Sequence, residues 1–137
     1  MRPNEEYLGV DVGAARLGVA RGSSQAKIAE PLQDLPADQA VAGLKKLAAD
    51  NAAAGIVVGL PRSLDGDDTQ QTESVRHWVA GARQEISLPF YWQDEALTSQ
   101  LAEGQKPSKK SAGSDAQAAA IILQDFLDTP SEERVRC

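Results

Sequence analysis

Cysteine is nearly missing from these 137 residues: one, Cys137, stands at the very end. A stapled fold is therefore excluded, and the usage fits a reducing cytoplasm. No apolar run approaches the roughly 18 residues that a membrane span requires. The first six residues, Met-Arg-Pro-Asn-Glu-Glu, lack the apolar stretch of a secretory signal. Positive charge is also short, since 14 Lys and Arg face 20 Asp and Glu for a net charge of −6. Wholesale coating of nucleic acid runs on cations meeting phosphates, so any nucleic-acid role is expected to be local and metal-assisted. The single histidine, His77, excludes a multi-histidine metal centre and reads as a surface residue. What is present is ordinary: 42% apolar and 25% charged residues describe a globular chain. Its length predicts one domain over 1–137, with 131–137 as a frayed tail.

Two apolar runs, 7–12 and 17–20, are split by Gly13-Ala14-Ala15-Arg16 and read as a β-hairpin. A weaker third strand around 26–29 completes a meander and is expected to stop before Pro31. The period then changes. Val41, Leu44, Leu47 and Ala48 form the stripe of an amphipathic helix over roughly 37–51. Gly55-Ile56-Val57-Val58-Gly59-Leu60 reads as a strand buried on both faces, and Pro61–Asp68 as a polar loop. Val75, Trp78, Val79, Ala82 and Ile86 share one face of a second helix, and Pro89–Gln93 is an aromatic strand. A short helix over 97–103, a Lys/Ser/Pro loop over 104–113 and a last helix opening at Ser114-Asp115-Ala116-Gln117 complete the chain. Ser114 and Gln117 are spaced as a capping box. The order β-β-β-α-β-α-β-α-α predicts an α/β fold, a mixed five-stranded sheet with helices on both faces. That is the ribonuclease H-like arrangement.

Three acidic positions fall where strands end or a helix begins: Asp11, the pair Asp94-Glu95, and Asp115. Carboxylates converging from distant segments suit Mg²⁺, which takes one or two of them with waters and substrate phosphate. Two such ions roughly 3.5–4 Å apart activate a water and stabilise the leaving oxygen of a phosphodiester. Each acid also has a simpler reading. A strand-end Asp is often a turn residue, and an acid in a first helical turn often only meets the helix dipole. Carboxylates held close repel, so without metal at least one is expected to keep its proton above the usual range.

The segment Asp11–Ala20 resembles the opening motif of the YqgF/RuvX family, Holliday-junction-resolvase-like and pre-16S ribosomal RNA nucleases. Ile56–Pro61 with Asp65-Gly66 behind it, Asp94–Thr98 and Ser114–Gln124 match in the same order, so the resemblance spans residues 8–127. It implies a nuclease that uses Mg²⁺ or Mn²⁺, with Asp11, Glu95 and Asp115 as catalytic metal ligands. Asp94 and Glu95 face opposite ways if strand alternation persists, and Glu95 is the favoured ligand. Two departures remove positive charge: Ala15 stands where the family usually has a basic residue, and Ala96 where it usually has Arg. Arg16 remains and can grip a phosphate bidentately. Lys106, Lys109 and Lys110 precede Asp115 and could meet a backbone phosphate.

The implied function is hydrolysis of nucleic acid, foremost processing of the 5′ end of pre-16S rRNA, in a cytoplasmic monomer or weak homodimer without membrane contact. Resolution of branched DNA is the alternative on the same chemistry. A catalytically weak binding module is another, suggested by the net charge, Ala15 and Ala96. Asp11-Val12-Gly13 with Gly18 also resembles the first phosphate loop of actin–hexokinase ATP-binding folds, but those need two such domains and this chain has room for one.

Overall fold

The computed structural model describes residues 5–13, 15–62, 69–96, 114–129 and 134–136. Strand β1 (Glu6–Val12) turns into β2 (Arg16–Ser23), and β2 into β3 (Ala29–Pro36). A 3-10 turn over Ala37–Gln39 leads into α1 (Ala40–Asp50) and then β4 (Ala53–Arg62). Helix α2 (Gln70–Glu85), β5 (Phe90–Ala96), α3 (Ser114–Asp128) and the two-residue β6 (Val135–Arg136) follow. The strands form one mixed sheet in the order β3-β2-β1-β4-β5-β6. The pairs β1–β2, β2–β3 and β5–β6 are antiparallel, whereas β1–β4 and β4–β5 are parallel. The predicted architecture is therefore present, with an added edge strand: residues 135–136 of the stretch expected to fray pair with Tyr91 and Trp92.

Strand alternation divides the side chains into two layers. Leu8 and Val10 of β1, Leu17 and Val19 of β2, and Ile56, Val58 and Leu60 of β4 face α1 and α2. There they meet Leu44, Val75, Val79, Ala82 and Phe90 in the larger core. The intervening residues Tyr7, Ala20 and Val57 face α3, where they pack on Ala119, Ile122, Leu123, Phe126 and Leu127. Helix α2 is started by Thr69, whose hydroxyl accepts from the Thr72 amide at 3.2 Å while Thr72 Oγ1 accepts from the Thr69 amide at 2.8 Å. This reciprocal cap satisfies two donors that a helix start leaves orphaned.

The third strand differs most from expectation. It occupies Ala29–Pro36 rather than 26–29, and it runs through Pro31 instead of stopping before it. Proline is tolerated because β3 is an edge strand, needing partners on one side only. The β2–β3 register shifts between Val19 and Ala20, which pair with Gln33 and Pro31, so Leu32 is an extra residue. Residues 24–28 instead form the turn, with Lys27 in the left-handed region at φ 54°. The fourth strand also continues past its expected stop at Pro61. Its pairing with β1 ends at Val58, so Pro61 faces only β5.

Candidate active site

The site begins with the absence of side chains. Gly9, Gly18 and Gly59 lie on three adjacent strands directly under α3. A Cβ at Gly9 would stand 2.6 Å from the Leu123 Cβ, and one at Gly59 would run into the end of the Ile122 side chain. At Gly18 it would overlap the Asp115 carbonyl. Such approaches are possible only where no Cβ exists: Gly9 and Gly18 let the helix backbone settle onto the sheet, and Gly59 leaves room for the Ile122 side chain. The first turn of α3 therefore rests on β2, and it carries Asp115 there.

Asp11 is the register partner of Gly18, and on its other side Gly18 pairs with Asp34 of β3. Directly paired residues share a face, so the two carboxylates flank the bare glycine over which Asp115 is held. The Asp11 carboxyl is pushed up from its ordinary 3.8 to about 6. Burial is the largest cause, followed by the charges of Asp115 and then Asp34. Repulsion between converging carboxylates was anticipated, and it is present, but desolvation outweighs it. Arg16 answers part of the negative charge: its Nε donates to Asp115 Oδ2 at 2.7 Å. That contact raises the Arg16 pKa, so its charge is secure. The Arg16 side chain is 55% exposed, and its remaining N–H donors can turn to an incoming anion.

Asp11, Arg16 and Asp115 are thus brought together by the fold. Glu95 is described only for its backbone, which pairs with Pro61. Alternation assigns position 95 to the set that includes Tyr91, and position 94 to the set that includes Phe90 and Trp92. Asp94 is exposed and belongs to the layer facing away from α3. Lys106, Lys109 and Lys110 lie outside the described residues, as do the short helix expected over 97–103 and the Asp65-Gly66 loop. Asp34 is the acid that sequence reasoning missed. The alternation that would have placed it is broken by the Leu32 bulge, so Leu32 and Leu35 both face α1 although three residues apart.

Hard carboxylate oxygens are the donors that Mg²⁺ and Mn²⁺ prefer, and a buried carboxyl with a raised pKa marks a place short of positive charge. The donor set fits such an ion, although among the described residues no group of three or more His, Cys, Asp or Glu side chains already stands in metal-holding geometry. Also among the described residues, no helix is long and apolar enough to cross a membrane.

Residues 5–129 match the profile of RuvX, a Holliday junction resolvase family. A protein of Chloroflexus aggregans named "Putative pre-16S rRNA nuclease" is 38% identical over 135 residues, covering 91% of this chain and 95% of its own. A relative with the same name from Nitratidesulfovibrio vulgaris is 36% identical over 138 residues, covering 94% and 97%. Among solved structures, RuvC of T. thermophilus in complex with Holliday junction substrate superimposes with a TM-score of 0.59. It covers 97% of this chain and 99% of that one at 17% identity, a likeness of fold.

Proposed function

The chain belongs to the RuvX family, and from that premise we propose that it is a metal-dependent nuclease that processes the 5′ end of pre-16S rRNA. The observation that carries this reading is the docking of α3 onto Gly18, which sets Asp115 beside Asp11. The relatives' name supplies the substrate, and the carboxylates supply the chemistry.

Asp11 and Asp115, with Glu95 from β5, would hold the ion. A bound Mg²⁺ or Mn²⁺ supplies an activated water and stabilisation of the leaving oxygen. The chain's own residues do the rest. Asp11, half-wrapped by the sheet and the helix, is held in one place and shielded from bulk water. Arg16 orients Asp115 and presents its free N–H donors to a substrate phosphate. Lys106, Lys109 and Lys110, just before Asp115 in sequence, add backbone contacts to structured RNA. With a net charge of −6 the protein binds through this local set and not through a general positive field.

Cleavage of a pre-16S rRNA 5′ fragment and of a four-way DNA junction, each with Mn²⁺, Mg²⁺ or chelator, tests the proposal. Metal-dependent cleavage of the RNA at its mature 5′ end is expected. Cleavage of the junction alone would transfer the substrate to branched DNA, and binding of either without cleavage would reduce the protein to a nucleic-acid-binding module.

A further inference from the structure

Asp34 has no place in the metal set above, yet it joins β3 to the helix that carries Asp115. The Ala116 amide donates to Asp34 Oδ1 at 2.9 Å, across 82 residues of sequence. The first amides of a helix lack partners within it and are usually met by the residue just before the helix. Here the partner comes from an edge strand. A second clamp lies two turns further on, where Gln124 accepts from the Ala29 amide at 2.9 Å and donates to the Lys27 carbonyl at 3.0 Å. The helix is therefore fixed along β3 at two points, and only the Asp34 clamp acts on the turn that carries Asp115. Laterally the Gly18 contact stops that turn from moving into the sheet, and Asp34 stops it from moving away.

We propose that Asp34 is a positioning residue: by bonding the Ala116 amide from β3 it holds Asp115 opposite Asp11, so that the two carboxylates are preset to take one divalent ion. The inference rests on the reading of Asp11 and Asp115 as ligands. Residues that orient metal ligands from behind typically affect affinity by about 10–100-fold, so Asp34 belongs to the machinery without touching substrate.

Mn²⁺ binding to the full chain, followed by the loss of the free-ion EPR signal, tests this beside amide hydrogen exchange at Ala116. Asp34→Ala is expected to weaken Mn²⁺ binding about tenfold and to expose the Ala116 amide to exchange. Asp34→Asn keeps an oxygen acceptor and is expected to retain both the protected amide and most of the affinity. Leu44→Ala, which empties a buried position on the opposite face of the sheet, controls for a general loss of stability and is expected to leave Mn²⁺ binding by the folded protein unchanged. Unaltered binding and Ala116 protection in Asp34→Ala would overturn the inference alone. Equal losses in Asp34→Ala and Leu44→Ala would also overturn it. A wild-type protein that takes up no Mn²⁺ would overturn the metal-site reading and this inference with it.

Discussion

The two faces of the sheet are built from the same strands and do different work. Toward α1 and α2 the strands present Leu8, Val10, Leu17, Val19, Ile56 and Val58, and two helices cover them with ordinary side-chain packing. Toward α3 the same strands present Gly9, Gly18 and Gly59, and the helix comes down nearly onto the backbone. Three aromatic rings, Tyr7, Tyr91 and Phe126, fill the opposite end of this layer, with Phe126 ring centroids 5.3 Å from Tyr7 and 5.1 Å from Tyr91. The aromatic end anchors the helix and the glycine end delivers its first turn to Asp11. One face thus stores stability in volume. The other gives up volume to bring carboxylates together.

The two faces separate most clearly when a methyl group is added on one and side-chain volume is removed from the other. Gly18→Ala puts a Cβ into the Asp115 carbonyl, so α3 must lift where it carries the site. Displacements of about 1 Å cost about 10²-fold in rate, and cleavage by the folded variant should fall by that order. Leu44→Ala on the other face empties a fully buried position and should cost about 2–5 kcal/mol of stability in a denaturant titration. Its rate per folded molecule should match wild type. Equal rate losses in both variants would erase the distinction between the faces.

Protons sharpen it next. In the metal-free protein Asp11 holds its proton up to about pH 6, against 3.8 ordinarily. Between those values the folded state binds more protons than the unfolded state, so this group's contribution to stability falls as pH rises through the window. Asp11→Asn removes the penalty. In chelator the variant should be the more stable protein above pH 6, by at most about 3 kcal/mol, and the two curves should converge near pH 4. A constant difference across that range would deny Asp11 its buried, acid-crowded setting.

Arg16→Ala should have the smallest effect on the fold. Its ion pair with Asp115 is exposed, and such pairs add little. Binding to RNA should weaken instead, with the slope of log affinity on log salt reduced by about one. An unchanged slope would remove Arg16 from the phosphate path.

Much of this was legible in the residues. The hairpin, the buried central strand and the amphipathic helices follow from apolar period alone, and the glycine-bearing motif around Asp11 marks the candidate site. The parts that were hidden share a cause. Pro31 and the Leu32 bulge disguise β3, because an edge strand tolerates a proline and a bulge breaks the period of two. With β3 misplaced, Asp34 had no visible partner, since its link to Ala116 spans 82 residues. Likewise β6 rests on two residues, too few to carry any pattern of their own. The cap of α2 uses Thr72 where a Glu or Gln would have announced it.

On this reading the α3 face holds a hydrolytic centre made by Asp11 and Asp115 together. Its most direct test is the Mn²⁺-dependent cleavage rate of a pre-16S rRNA 5′ fragment by wild type, Asp11→Asn and Asp115→Asn, purified identically and each confirmed to bind the RNA. Cleavage by wild type, background rates for both variants, and RNA affinity retained in both are expected. Cleavage that persists in either variant at the wild-type rate would contradict it.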